Sequence, residues 1–252
     1  QLINGNHLRL THMALQAEST GGYVIDSDSN PDGISLVFDF NVPAGNYKKC
    51  GFGARGTKYA WSSDSANPIG DLQDMVKFAK DNFRSYGVFR MSEATWQVFI
   101  AHKAVREQVF LSLGYINIAD IPAGFVVLED QVKAYLSKLK LPAIEVVDAI
   151  CATEKFDKAS GKLVWTPTRP FADDVVVLRP AGAIGETKCA EPIIIPDPAA
   201  RQATFDGGRT LLTQTFDADM KTQKIQSELT ALPVLSMPKD MIYLDKKTVY
   251  AF

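Results

Sequence analysis

"GFGARG" occupies residues 51–56 and matches G-x-G-x-x-G at every fixed position. As the phosphate-holding turn of a dinucleotide-binding unit, it would make the chain an α/β protein wound on a parallel sheet. As a loop, it leaves the fold to the rest of the sequence. The first reading needs a strand running into the first glycine and a helix opening at the last. Only then do helix amides and dipole face a pyrophosphate. The preceding alternation, "GISLVFDFNV" (33–42), places Ile34, Leu36, Phe38 and Phe40 on one face of a half-buried strand. That strand ends near Val42, nine residues before Gly51. The next helical stripe opens near Asp71, fifteen residues after Gly56, and "TKYAWSSDSANP" (57–68) between them carries no 3.6-residue period. No acidic residue closes a second strand where a ribose partner would stand. Without its context the motif is weak, and the sequence predicts a loop.

Working outward, the segment 71–87, "DLQDMVKFAKDNFRSYG", sets Leu72, Met75, Val76, Ala79 and Phe83 on one helical face, with Gly87 as its stop. "VFRM" (88–91) reads as a short strand. Ser92 then caps a helix with Trp96, Phe99 and Ile100 facing inward. "FVVLEDQVKAYLSKL" (125–139) contains a helix with Val132, Tyr135, Leu136 and Leu139 on one side, closed by Pro142. Upstream, "NGNHLRLTHMALQAESTGG" (4–22) reads as the end of a helix stopped at Gly21-Gly22. With Gln1 as first residue, it suggests a chain cut within a helix.

The second half turns to strands. "AIEVVDAICA" (143–152), the turn "DKASGK" (157–162) and "LVWT" (163–166) read as a hairpin, and "DVVVLRP" (174–180) as a buried strand. Residues 192–208 are rich in Pro, Asp and Gly and read as loop. "TLLTQTFDAD" (210–219), "TALPVLSM" (230–237) and "KTVYAF" (247–252) read as three closing strands. Helices before antiparallel strands make the expected class α+β.

Chemistry-bearing constellations are sparse. His7 and His12 are five apart and turn to different faces of a helix, and His102 stands alone, so no metal spacing arises. Glu145 and Asp148, three apart in a strand, point to opposite faces. Asp173 and Asp174 precede a strand, where a turn wants them. Cys50, Cys151 and Cys189 form no C-x-x-C and suit free thiols in a reducing compartment. Trp61 in a polar loop either folds back onto the core or anchors a partner. The formal net charge of −2, with basic residues in pairs such as Lys48-Lys49 and Lys246-Lys247, excludes a nucleic-acid grip built on bulk positive charge. No apolar run approaches the ~20 residues of a membrane span, and no secretory leader is expected. The expected site inventory is therefore empty: no catalytic, cofactor-binding or metal-binding residue.

Across nearly its full length the chain resembles the tailed-bacteriophage major capsid proteins of the lambda-type head protein family (major head protein E). The likeness lies in the order of its segments. "QAESTGGYVI" (16–25) resembles the end of the family's spine helix. "VFDFN" (37–41), a glycine-rich loop and "YAWSSDSANPIGDL" (59–72) resemble its strand, loop and helix start. "YGVFRMSEATWQVFIAHKAVRE" (86–107), "PAIEVVDA" (142–149), "FADDVVVLRPAGAIGETKCAEP" (171–192) and "ALPVLSMPKDMIYLDKKTVYAF" (231–252) follow in family order.

The resemblance implies a Hong Kong 97-type capsid fold, with residues 1–70 and 191–252 in a peripheral domain and 71–190 in an axial domain. It implies that the family's N-terminal arm, E-loop and most of the spine helix precede Gln1. It further implies a non-enzymatic subunit that self-assembles into pentamers and hexamers of an icosahedral shell enclosing DNA held non-specifically. Scaffold and decoration proteins are expected partners and no membrane is. The locations would be the virion and, during assembly, the host cytoplasm. An encapsulin-like compartment shell and a soluble enzyme with an unread site remain the alternatives at this stage.

Overall fold

The computed structural model describes residues 2–25, 35–114, 125–157, 162–194, 200–217 and 222–250. Among them are five α-helices and thirteen strands in four sheets, an α+β arrangement.

The first helix, α1 (Leu2–Thr20), stops where expected. Gly21 takes φ +83 and donates to the Ala17 carbonyl at 2.9 Å, a left-handed cap that glycine makes without strain. A small hairpin follows, β1 (Gly22–Ile25) with β2 (Leu36–Asp39). Its Phe38 and Phe40 pack with Tyr23 against Met13 and Ala17 of α1. Leu36 and Val37 are exposed, Phe38 and Phe40 are half-buried, and Ile34 lies outside the described residues.

The main core forms on a five-stranded mixed sheet in the order β3-β13-β8-β4-β5. Its strands are β3 (Tyr47–Cys50), β4 (Val88–Ser92), β5 (Ala143–Val147), β8 (Val175–Arg179) and β13 (Ile242–Val249). The helices α2 (Pro68–Asp81), α3 (Glu93–Ala101), α4 (Lys103–Ser112) and α5 (Glu129–Lys138) supply its apolar cover. Leu72, Met75, Val76 and Ala79 of α2, Trp96 and Phe99 of α3, and Val132 and Leu136 of α5 all enter this core. Ser92 caps α3 by accepting from the Thr95 amide at 3.2 Å.

Several expectations are corrected. The α2 stripe stops short of Phe83, which is 97% exposed, because Asn82 ends the helix; Gly87 opens the approach to β4 instead. The segment after Ser92 holds two helices rather than one. His102 ends α3 and caps α4, its Nδ1 accepting from the Ala104 amide at 3.2 Å. "AIEVVDAICA" divides between β5 and β6 (Cys151–Asp157), and β6 pairs with β7 (Lys162–Thr168). Residues 158–161 of the expected turn lie outside the described residues. The final strand is "IYLDKKTV", five residues earlier than "KTVYAF", because its buried half is Ile242, Tyr243 and Leu244.

A four-stranded sheet, in the order β10-β11-β12-β9, forms from β9 (Gly185–Ala190), β10 (Ala200–Phe205), β11 (Thr210–Asp217) and β12 (Thr222–Leu235). The stretch read as loop from 192 to 208 thus contains β10. In β12, residues 222–229 pair with β11 and residues 230–235 with β9. Leu232 and Leu235 pack against Met13 and Ala17, which seats α1 on that half of the sheet.

Candidate functional site: a glycine loop closed on two carboxylates

Strand β3 runs directly into Gly51, so a strand does precede the glycine motif, contrary to expectation. The loop reading survives on the other side. No helix opens at Gly56; α2 begins at Pro68, with Asn67 accepting from the Gly70 amide at 3.2 Å.

Between them the loop folds over the first two turns of α2. The Gly51 amide donates to Asp71 Oδ1 at 3.0 Å, and the Trp61 indole donates to Asp71 Oδ2 at 2.9 Å. The Arg55 and Gly56 amides both donate to Asp74 Oδ2 at 2.8 Å. The motif therefore does build a cradle of amides at a helix N-terminus, but the helix fills it with its own carboxylates.

This arrangement accounts for all three glycines. Gly51 has φ +70, favourable for glycine and rare for other residues. A Cβ at Gly53 would collide with the Asp74 carboxyl, and one at Gly56 with Asp71 Oδ1.

Burial dominates the electrostatics. Asp71 is fully buried, which pushes its pKa up to about 6; the neighbouring Asp74 adds to the rise, and the Gly51 and Trp61 hydrogen bonds oppose it. The Cys50 thiol beside it is pushed up to about 12 by burial and by the Asp71 and Asp245 charges. A thiol held that high is inert at neutral pH. Two carboxylates side by side with one raised pKa would suit acid–base work in an open cleft. Here both are closed off, Asp71 at 0% and Asp74 at 3% exposure.

Trp61 folds back onto the core, 1% exposed and 5.6 Å from the Phe99 ring. His7 is exposed and 3.1 Å from Asp206, whereas His102 is buried with Nε2 3.0 Å from the Ser63 carbonyl. Glu145 and Asp148 do part company: Glu145 approaches Arg90 and Arg179, while Asp148 lies 3.8 Å from Arg169. The Asp174 carboxylate meets Lys246 and Lys247. Cys50 and Cys151 are buried and Cys189 exposed, all as free thiols. No group of three or more potential metal ligands occurs among the described residues.

Sequence reading missed a second charged centre. Glu18, near the end of α1, is 4% exposed and lies 2.8 Å from Arg179 and 3.1 Å from Arg90, with Glu145 beside them. Burial raises the Glu18 pKa and the two arginines oppose that rise. The cluster ties α1 to β4, β5 and β8 at the floor of a cleft of about 410 Å³ that Leu15, Ile184 and Val234 help to line. An arginine ending the apolar run "VVVL" was the available signal, since a buried guanidinium demands a partner.

The glycine motif is thus a loop closed by the carboxylates of its own helix. The profile of the phage major capsid protein E family matches residues 3–242, and the chain belongs to that family. Membership implies a structural, non-enzymatic role. The chain is similar to the crystal structure of a protein assigned as a prophage capsid protein of Escherichia coli CFT073, with TM-score 0.57 and 17% identity over 97% of this chain. A phage-related protein of Bordetella bronchiseptica RB50 is similar over 84% of the chain, at 15% identity and TM-score 0.45. The chain spans 64% and 59% of the lengths of those two structures. Comparison with curated proteins returns no significant match. The family match and the likeness to the Escherichia coli structure give the chain an α+β capsid fold.

Proposed function

We propose that copies of this chain tile the icosahedral shell of a tailed phage or prophage, as pentamers and hexamers around packaged DNA. The observation that carries this reading is the outer half of the four-stranded sheet. Thr222 to Gln226 of β12 are exposed without interruption, so side chains on both faces of the strand meet solvent, and Phe216 and Ile225 are exposed there. An antiparallel sheet ordinarily covers at least one face, and a ladder of this kind is marginal alone. A neighbouring subunit would supply the missing layer. Repeated heterologous contacts then close rings and shells, drawing strength from area and copy number rather than from one strong contact.

In this reading residues 71–190 form the axial domain and residues 1–70 and 191–252 the peripheral one, with β3 and β13 reaching from the latter into the five-stranded sheet. The DNA is held non-specifically by a lining of near-neutral charge. Scaffold and decoration proteins are further partners, and assembly takes place in the host cytoplasm before the subunit resides in the virion. Light scattering and negative-stain electron microscopy test the reading. Capsomer rings or closed shells are expected. A protein that stays monomeric at every salt and crowding condition, with or without scaffold, overturns it.

A further inference from the structure

We propose that the two ends of α5 are the two halves of one contact between copies of this chain. The aromatic, basic end of one copy seats on the apolar, acidic end of the next. The inference rests on the shell reading above and names the residues of one of its contacts.

The first half lies where α2 and α5 finish. The Arg84 amide donates to the Ala79 carbonyl at 2.8 Å and the Phe83 amide to Lys80 at 3.2 Å. This turn places Phe83 at φ +53, in the position that glycine usually fills and where a bulky side chain is strained. The ring gains no burial in exchange, being 97% exposed. The end of α5 is built the same way: Leu141 donates to Leu136 at 3.1 Å, with Lys140 at φ +58. The two ends border one groove of about 350 Å³, lined by Arg55, Lys77, Lys80, Lys140 and a single acid, Asp81. That acid is already paired with Lys77 at 2.8 Å.

The second half lies at the start of α5, ten residues and ~15 Å of helix away. Val126 and Leu128 are 76% and 62% exposed, beside the exposed Glu129 and Asp130. Glu129 shares its charge with Lys133 at 3.3 Å. Asp130 has no salt-bridge partner among the described residues.

The helix dipole favours acids at a helix start and bases at its end. It does not account for three exposed apolar side chains or for a phenylalanine in the place of glycine. In a chain of net charge −2, the two surfaces carry opposite local charge and each presents apolar area. This is the complementarity that fixes register between partners, with Phe83 as its aromatic anchor. Because the halves sit at opposite ends of one helix, the contact joins unlike surfaces and repeats head to tail, as a ring requires.

Sedimentation velocity over rising concentration, with thermal unfolding in parallel, tests the proposal. Phe83→Gly should weaken self-association roughly tenfold or more while raising the unfolding midpoint by ~2–4 °C, opposite signs that a merely structural role does not give. A chain with Lys80→Glu and Lys140→Glu, and another with Glu129→Lys and Asp130→Lys, should each associate poorly alone. Mixed in equal amounts, they should recover association. If the parent chain associates and Phe83→Gly leaves that unchanged, or if the mixture is no better than its parts, this contact falls while the shell reading stands. If the lysine-reversed chain still associates but loses affinity for duplex DNA, the basic end is a nucleic-acid surface and the proposal falls. A parent chain that never associates overturns both.

Discussion

Strands β8 and β12 lie inside the two larger sheets, and their side chains meet opposite surroundings. Val176, Val177 and Leu178 of β8 are 0% exposed, covered on both faces by elements of the same chain. In β12, Thr222 to Gln226 are all exposed, although hydrogen-bonded to β11 along the ladder. Backbone pairing differs as well: β8 is paired along both edges, by β13 and by β4, whereas Thr222 to Gln226 are paired along one edge only, and of these two stretches only β8 buries apolar side chains. The five-stranded body is finished by its own sequence: even its glycine motif, which elsewhere waits for a phosphate, is closed by Asp71 and Asp74. In the proposed shell reading, the outer ladder is finished by contact with a neighbouring copy of the chain.

Core truncation should separate the two regions most widely. Trp96 is 0% exposed and stacks on Phe99 with ring centroids 5.6 Å apart. Trp96→Ala should destabilise the chain by ~3–5 kcal/mol, measured by chemical denaturation with the slope unchanged. A loss below about 1 kcal/mol, the scale of an ordinary substitution, would mean that the body is not the self-sufficient half.

The same contrast explains what could be read from the sequence. Stripes on α2, α3 and α5 were legible because each helix buries one face, and Leu72, Met75, Val132 and Leu136 mark it. Strands β9 and β10 were not legible, because a strand exposed on both faces has no reason to alternate. Strand β3, "YKKC", hid for a related reason: it is an edge strand whose adjacent lysines protect the edge from further pairing. Phe83 was misplaced because a stripe counts spacing and cannot sense the turn at Asn82 that ends the helix. Of the glycine loop, the absence of an adjoining helix was readable. Its filling by Asp71 and Asp74, twenty residues along the chain, depends on tertiary packing.

A second, intermediate effect concerns pH. Asp71 has a folded pKa of about 6 against an ordinary 3.8, so the native state binds its proton more tightly than the unfolded chain does. The sign follows from linkage. This contribution to stability is complete below the ordinary value, near pH 4, and is lost as pH rises through 6. The two-unit difference corresponds to about 3 kcal/mol. Other carboxylates titrate in the same range, so the useful quantity is the stability of the parent minus that of Asp71→Asn, which lacks the titration. That difference should fall between pH 4 and pH 7, and a flat difference would show that Asp71 is not buried as a charged group. Asp71→Ala should cost ~2–4 kcal/mol at pH 5, because it strands the Gly51 amide and the Trp61 indole without an acceptor.

The smallest expected effect is the sharpest test of the comparison. Phe216 and Ile225 are 57% and 47% exposed on β11 and β12. If the ladder is unfinished in the single chain, these side chains contribute little to its stability. Phe216→Ser with Ile225→Thr should shift unfolding by less than ~0.5 kcal/mol, the usual range for surface substitutions away from special features. In an assembling preparation the same pair should raise the concentration at which particles form, since burial of apolar area between subunits is what the substitutions remove. The two readouts must be taken on one protein, because each alone has a trivial explanation. An unchanged stability could mean that the residues are idle, and poor assembly could mean a damaged fold. Only the combination, a fold left intact and an assembly weakened, requires that the second layer of this sheet come from a neighbour. If both readouts stay unchanged, the exposed ladder is a solvated surface and the asymmetry between the two sheets has no bearing on the shell. If stability falls by more than ~2 kcal/mol, a size that belongs to buried side chains, the ladder is covered within the single chain and its likeness to the five-stranded sheet is closer than its exposure suggests.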